Sequence, residues 1–328
     1  MSGETWRIGP LRVEPGQTLR GVFPIDVGLT HIDFPLALIN GIEPDPVLLV
    51  TAGMDGDEYT AVEAALRLID VLNPKQLRGR VIICPVLDPL SFEALHRQNP
   101  LDGLFVRDQF PGDLNGKPTQ RLAHFLYHNF VLNADLWVAL EAPDTAEVTI
   151  PYVFTYQGDD AHVNEGNRLA LNQSGAVLGL LHPPVEWPPA LHSMVANTNL
   201  LVSTAGNRHQ IDEEAVQAHL KVVYATLHGM DILPQAETPA LPQVFPAVQT
   251  LRAEQTGLWV PRAKAGDAVQ PGQVVGELFR LDRGEILQTV TSPVEGLLLS
   301  VRNGLATRPR LRVGLVAHHP QPAPPETV

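Results

Sequence analysis

The sequence has a single cysteine, Cys84, among its 328 residues, and this scarcity excludes an intrachain disulfide. Cys84 lies in the apolar run 81–87, which predicts a buried structural thiol rather than a nucleophile. No run approaches the roughly 18–20 apolar residues of a transmembrane helix, and the first residues lack the basic and apolar regions of a secretory signal. We therefore expect no membrane partner and a cytoplasmic location.

Basic residues are also scarce, since 23 Lys and Arg stand against 36 Asp and Glu for a formal net charge of −13. Such an acidic balance argues against nucleic acid or an anionic membrane as the partner. The sequence also has no P-loop, no G-x-G-x-x-G turn and no nucleophile elbow. It therefore gives no support to NTPase, dinucleotide-binding or serine hydrolase function.

What the sequence does contain is an alternation of short apolar runs with amphipathic stretches between about residues 47 and 230. The amphipathic stretches 58–72 and 213–228 have helical spacing, and Asp212 is suited to cap the second. The apolar runs are typical of strands covered on both faces. These runs are Val47–Ala52, Arg80–Leu87, Leu136–Leu140, Tyr152–Tyr156 and Asn199–Ser203. The pattern predicts an α/β fold, a mixed and mainly parallel sheet with helices on both faces.

The composition changes near residue 235, which predicts a division into parts. We expect an α/β domain over 1–235, a proline-rich linker over 236–248, a small all-β module over 249–317 and a disordered tail over 318–328. The module resembles a biotinyl/lipoyl-type barrel-sandwich domain. Its hairpin at 280–285 has no lysine that could carry a cofactor, so we expect the module to shield a cleft or to mediate homo-oligomer formation.

Two features point to a site at the carboxyl edge of the predicted sheet. Three acids, Asp55, Asp57 and Glu58, follow the first predicted strand within the stretch TAGMDGDEYTA. The stretch 88–118 is rich in proline, glycine and charge, and a loop this long inside a compact domain is usually functional. Ligands of α/β sheets bind where the strands end, so we expect the acids and the loop to line one cleft.

The order and spacing of several motifs resemble the succinylglutamate desuccinylase/aspartoacylase family, which has the zinc-carboxypeptidase fold. The motifs are TAGMDGDEY, RGRVIICPVLDP, DGLFVRDQFPG followed by GKPTQRLA, ADLWVALE, and GLWVP with GDAVQPGQVVGEL and SPVEG. The resemblance covers most of the chain. It implies a metal-dependent hydrolase that cleaves the amide bond of an N-acyl amino acid.

The family pattern implies two histidines and a glutamate as zinc ligands, and only the glutamate is retained here, as Glu58. The two histidine positions hold Asp55 and Glu141. The general-base position holds Thr204, whose hydroxyl cannot replace a carboxylate at neutral pH. The family's Asn-Arg pair is replaced by Arg107 and Asp108.

Acids that converge need a compensating charge, and three solutions are open. A hard divalent cation could bind the oxygen ligands, and it is favoured over zinc because both imidazoles are missing. Arg97 or Arg107 could instead pair with the acids and bind substrate. One acid could also retain its proton.

Among the twelve histidines, only His209 follows the general-base strand closely enough to be a site candidate, while His124 and His128 are expected on a helix surface.

Two hypotheses for function therefore remain. In the first, the protein is a divergent family member that has lost or altered its metal-dependent hydrolysis and keeps a cleft for a small carboxylate. In the second, it is an active metal-dependent hydrolase with an acid-rich site. Whether the protein is an enzyme is uncertain from the sequence, and the cofactor is expected to be none or one divalent cation.

Overall fold

The computed structural model describes residues 4–28, 30–143, 146–181, 198–234, 239–304 and 306–322. Its α-helices are α1 Tyr59–Val71, α2 Pro89–Glu93, α3 Pro118–Asn129, α4 Ala161–Gln173 and α5 Glu213–Gly229. Short 3-10 turns lie at Pro74–Gln76, Val106–Asp108 and Val131–Asn133. Within the described ranges, no helix is both long enough and apolar enough to cross a membrane.

The strands of the first part of the chain are β1 Trp6–Ile8, β2 Leu11–Val13, β3 Gln17–Asp26, β4 His31–Asn40, β5 Val47–Thr51, β6 Arg80–Cys84, β7 Leu136–Glu141, β8 Glu147–Thr155, β9 Leu178–Leu180 and β10 Leu200–Gly206. The later strands are β11 Gln243–Phe245, β12 Ala247–Arg252, β13 Gly257–Pro261, β14 Ala268–Val269, β15 Val274–Phe279, β16 Ile286–Thr291, β17 Gly296–Arg302, β18 Ala306–Thr307, β19 Arg312–His318 and β20 Gln321–Pro322.

One large mixed sheet organises the molecule, with the strand order β12-β19-β17-β8-β10-β7-β5-β6-β4-β3 along its main path. Its centre is parallel, since β10, β7, β5 and β6 run in one direction. On either side of that centre, β8 and β4 pair antiparallel to their neighbours. The predicted mixed α/β sheet is therefore confirmed, although the other parallel pairs in the described part of the chain are only the short ones of β9 with β8 and with β11.

Helices cover both faces of this sheet because its central strands are apolar on both sides. One core contains α3 side chains such as Leu122 and Leu126 together with Trp137 of β7. The opposite core contains Leu68 of α1 and Val223 of α5. All five residues of β5 are buried, as expected of a strand between two helical layers. Cys84, at the end of β6, is a buried free thiol, and burial raises its pKa.

The carboxyl ends of the four parallel strands meet at one edge of the sheet and position the site. After β5 the chain turns through Asp55 into α1, and β6 leads into the stretch 88–118. The last residue of β7 is Glu141. The strand β10 ends at Gly206, two residues before Arg208.

The C-terminal strands have their own core around Trp259 but remain joined to the large sheet. In that sheet β17 pairs antiparallel with β8, where Val301 lies opposite Val148. A separate antiparallel sheet has the order β16-β15-β13-β18. The stretch 236–248, expected as a linker, contains β11 and the start of β12, so part of it is a paired strand rather than a free connector. Within the expected tail, Gln321 and Pro322 pair with β11, and residues 323–328 lie outside the described part of the chain.

Candidate functional site

The turn between β5 and α1 buries three carboxylates. Asp55, Asp57 and Glu58 are 1%, 1% and 2% exposed, respectively. The turn is closed by Glu58, whose Oε2 accepts a hydrogen bond from the backbone N–H of Asp55 at 3.2 Å. Carboxylates this deeply buried require compensating charges or protons, because a buried unpaired charge is costly.

The loop after β6 supplies two of the compensating charges. Arg97 donates from Nε and Nη2 to Oδ2 of Asp55, at 3.0 and 2.9 Å. Arg107 donates from Nη1 to the same oxygen at 3.1 Å. The ring of Phe105 lies under both guanidinium groups, with Cζ of Arg107 4.6 Å and Cζ of Arg97 5.4 Å from its centroid. The loop and the acid turn therefore lie together, and both candidate arginines reach Asp55.

A third arginine, Arg208, lies inside the acid cluster and was not anticipated from the sequence. Its side chain is 3% exposed, and its Nη2 lies 3.0 Å from Oδ2 of Asp55 and 3.3 Å from Oε1 of Glu58. Nη1 donates to Oδ1 of Asp57, and Nε donates to the backbone carbonyl of Pro143. The available signal was a basic residue two positions after β10, at the edge where the other site residues gather.

The remaining candidates occupy less central positions. His209 is half exposed, and its Nε2 lies 3.4 Å from Oδ2 of Asp57. Thr204 is buried in β10 and pairs in register with Glu141 on β7. His124 and His128 have neighbouring rings, 4.2 Å between centroids, on α3, with His128 exposed and His124 half-buried.

The electrostatics of the cluster divide its acids into two kinds. Burial opposes ionisation of Asp55, but Arg208, Arg107 and Arg97 together outweigh it and lower the pKa of that carboxyl. Burial raises the pKa of Glu58 to about 8, with Asp55 and Glu141 adding to the rise and Arg208 acting against it. Burial also raises the pKa of Glu141. Arginine therefore favours the ionised form of Asp55, whereas burial disfavours ionisation of Glu58 and Glu141.

The donor set does not fit a metal ion of the kind that the resemblance implies. Among the residues that the structure describes, no group of three or more His, Cys, Asp or Glu side chains is arranged to hold one. The physical reason is Arg208, whose Nη2 stands between the carboxylates of Asp55 and Glu58 and hydrogen-bonds to Glu58. Oδ2 of Asp55 is shared by three guanidinium groups, and a metal ion would have to displace them.

Comparison with known proteins identifies relatives with this fold. Residues 44–182 match the sequence profile of the succinylglutamate desuccinylase/aspartoacylase catalytic domain. The N-alpha-acetyl-L-2,4-diaminobutyric acid deacetylase of Halomonas elongata is 26% identical over 260 residues, which cover 76% of this chain and 74% of that protein.

Two solved structures show how far the similarity of fold extends. A succinylglutamate desuccinylase/aspartoacylase from Rhodobacter sphaeroides aligns with a TM-score of 0.80 at 21% identity, covering 92% of this chain and 96% of that one. The product-bound ectoine utilization protein EutE from Ruegeria pomeroyi aligns with a TM-score of 0.81 at 19% identity, covering 91% and 94%. The shared fold therefore includes the C-terminal strands as well as the α/β sheet.

Proposed function

Because residues 44–182 match the succinylglutamate desuccinylase/aspartoacylase catalytic domain, we propose that this chain is a member of that family and binds a small carboxylate of the N-acyl amino acid class without metal-dependent hydrolysis. The family includes deacylases of N-acyl amino acids, such as the diaminobutyrate deacetylase of Halomonas elongata. This protein keeps their cleft and uses arginine in place of a metal centre.

The observation that carries the proposal is the triple pairing of Asp55. The residue stands where the family resemblance places the first zinc ligand, and its Oδ2 accepts hydrogen bonds from Arg97 and Arg107 and forms an ion pair with Arg208. A metal ion at Oδ2 of Asp55 would have to compete with three guanidinium groups, whose interactions with that oxygen are charge-assisted and partly or fully shielded from water.

Hydrolysis would also need a group to activate water, and the family's position for that group holds Thr204. Glu58 is poorly placed to substitute for it. Its Oε2 accepts from the amide of Asp55, and its Oε1 accepts from the amide of Ala142 and from Arg208. Both oxygens are therefore engaged in holding the turn together.

Ligand binding is assigned to the two arginines that are open to solvent. The side chain of Arg97 is 22% exposed and that of Arg107 is 34% exposed, whereas Arg208 is enclosed. The bond from Arg107 to Asp55 uses one of the five N–H donors of a guanidinium group. Guanidinium forks match the geometry of a carboxylate, and the Phe105 ring limits their movement before the ligand arrives.

Isothermal titration calorimetry with N-acetyl amino acids, the matching free amino acids and simple dicarboxylates tests the binding proposal. We expect binding that Arg107→Ala weakens by about 10-fold or more, the effect of losing one hydrogen bond to a charged group. Arg262→Ala serves as the matched control, because Arg262 is half exposed and pairs with Glu277 in the C-terminal strands. Equal weakening by both substitutions, or no binding by the wild type, would refute the proposal.

An assay for acid release tests the loss of hydrolysis separately. The same compounds are incubated with the protein in zinc, manganese or magnesium, and in chelator. We expect no release above that of a sample without protein. Metal-dependent release that disappears in Asp55→Ala would instead establish the active-hydrolase alternative.

We further propose that the C-terminal strands form a barrel-sandwich module that shields the cleft or joins two copies of the chain. Two sets of antiparallel strands support this proposal. One contains the pair β17 and β19, and the other contains the pair β13 and β15. Light scattering on the full-length protein distinguishes the two roles, since only the second requires a dimer.

A further inference from the structure

Arg208 lies among oxygen atoms in a way that matches the surroundings of a bound cation. The acceptors around its guanidinium group are three carboxylates and two backbone carbonyls: Asp55, Asp57, Glu58, Ala142 and Pro143. All three carboxylates belong to the single turn between β5 and α1, and both carbonyls follow the end of β7. The guanidinium group therefore bridges two neighbouring parallel strands at their carboxyl ends.

We infer that Arg208 is the built-in cation of this acid cluster, supplied by the chain itself in place of a bound metal ion. Its Nη2 occupies the space between Asp55 and Glu58, where an ion shared by those two carboxylates would have to sit. The inference concerns the construction of the cluster and does not depend on whether the cleft binds a carboxylate.

A guanidinium group is suited to this role for two reasons. It cannot lose its proton in a protein, and burial here is more than offset by Glu58, Asp55 and Asp57, which raise the pKa of Arg208 further. It also distributes one charge over several donors in a plane, so that it can satisfy acceptors in different directions. A lysine ammonium would supply the charge but would lack this planar spread of donors.

Arg208 differs from the other two arginines in where it comes from and what it contacts. Arg97 and Arg107 approach Asp55 from the loop after β6 and remain partly exposed to solvent. Arg208 is enclosed and also contacts Asp57 and Glu58. Truncating it would leave three buried carboxyl groups around the vacated space without the cation that they share.

The test removes the Arg208 side chain and supplies guanidinium ion from solution in its place. We expect Arg208→Ala to lower the melting temperature by about 10 °C, the effect of breaking a buried ion pair in a domain of this size. About 10 mM guanidinium chloride, far below the molar concentrations that unfold proteins, should recover about half of the loss. Sodium chloride at the same concentration should not recover the melting temperature of the variant. Neither salt should raise the melting temperature of the wild type.

Divalent cations provide the second arm of the test. Manganese and magnesium should raise the melting temperature of Arg208→Ala, because the carboxylate oxygens that Arg208 contacted then face a space that an ion can share, while Arg97 and Arg107 still pair with Asp55. Arg312→Ala is the matched control, since it also removes a largely buried arginine but leaves the single carboxylate of Glu147. We expect no recovery by divalent cations in that variant or in the wild type. A stoichiometric divalent ion bound to the wild type with Arg208 intact would overturn the inference.

If Arg208→Ala yields no folded protein, Arg208→Lys and Arg208→Gln provide the same distinction. Lysine keeps the positive charge, whereas glutamine keeps part of the hydrogen bonding but has no charge. The inference requires the lysine variant to melt several degrees higher than the glutamine variant. A difference of that size corresponds to a change of about 10-fold in the equilibrium constant for unfolding. Glutamine at or above lysine would show that Arg208 acts through hydrogen bonding alone and would overturn the inference.

Discussion

Nη1 of Arg107 lies 3.1 Å from Oδ2 of Asp55, although the two residues are 52 positions apart in the chain. The bond joins the loop after β6 to the turn after β5, so a single carboxylate fixes the position of one segment of the site relative to the other. Asp55 is therefore a structural centre of the site.

Replacing Asp55 with asparagine should lower the free energy of unfolding by about 3 kcal/mol, because three guanidinium groups would lose their ionised partner. Urea denaturation of the variant and the wild type measures the difference. Asp70→Asn is the control, since its pair with Arg20 is largely exposed and should contribute less than about 0.5 kcal/mol. Similar losses for both variants would contradict the central role of Asp55.

Replacing Gly56 with alanine should separate the loop from the acid turn. A Cβ atom at Gly56 would overlap the backbone carbonyl of Ser91 and lie 2.5 Å from the carbonyl oxygen of His96. Backbone atoms cannot move aside as a flexible side chain can, so we expect a loss of about 1–3 kcal/mol together with weaker ligand binding. Gly21→Ala is the control, because an added Cβ there meets nothing within 4 Å. Unchanged hydrogen exchange in the loop of Gly56→Ala would argue against this account.

His219 should make stability depend on pH on the acid side of neutrality. It is buried on α5, beside the hydroxyl of Ser203 at 2.9 Å, and burial lowers its pKa from 6.5 to about 4. Below pH 6.5 the unfolded chain binds a proton that the folded protein does not, so stability falls as the pH drops from 6.5 towards 4, by up to about 3 kcal/mol. Above pH 6.5 this contribution is constant.

Unfolding measured between pH 4 and 7 tests the contribution of His219. His219→Asn should flatten the pH dependence while keeping a polar partner for Ser203, and His31→Asn, at an exposed position, should leave it unchanged. A His219→Asn protein with the wild-type slope would show that other groups cause the dependence.

The ion pair between Glu147 and Arg312 should be essential for joining the C-terminal strands to the sheet. Both bonds are short, 2.7 and 2.9 Å, and the Glu147 side chain is 1% exposed. Glu147→Gln should lower the free energy of unfolding by about 3–5 kcal/mol, because it leaves a largely buried arginine without its charge partner. Asp282→Asn, in the exposed pair with Arg280, should change it by less than about 0.5 kcal/mol, and calorimetry compares the two.

The elements that the sequence predicted well are those whose pattern reflects local burial. Continuous apolar runs identified β5, β6, β7 and β10, and helical spacing identified α1 and α5 within a residue or two. The cap of α5 was also predicted correctly, since Asp212 accepts from the backbone N–H groups of Glu214 and Ala215. The long antiparallel pair β3 and β4 was missed because β3 lies at an edge of the sheet and is mostly exposed, which weakens its periodicity.

The candidate site could be predicted only as far as strand ends and motif positions allow. Asp55, Glu58 and both loop arginines could be placed together because parallel strands end at a common edge. Arg208 could not, because its role depends on burial and on contacts with residues about 150 positions earlier in the chain. No local pattern distinguishes such an arginine from one on the surface.

The pairing of β17 with the first half of β8 has a consequence for the solubility of fragments. The second half of β8 pairs with β9, so within β8 only residues 147–149 have the C-terminal strands as their partner at this edge. A fragment that ends near residue 235 would expose those backbone N–H and C=O groups, together with the apolar side chain of Val148, as an open edge. Open edges recruit strands from other molecules. The C-terminal strands therefore protect the larger part of the chain against aggregation, and we expect the fragment to precipitate under conditions in which the full-length protein remains in solution.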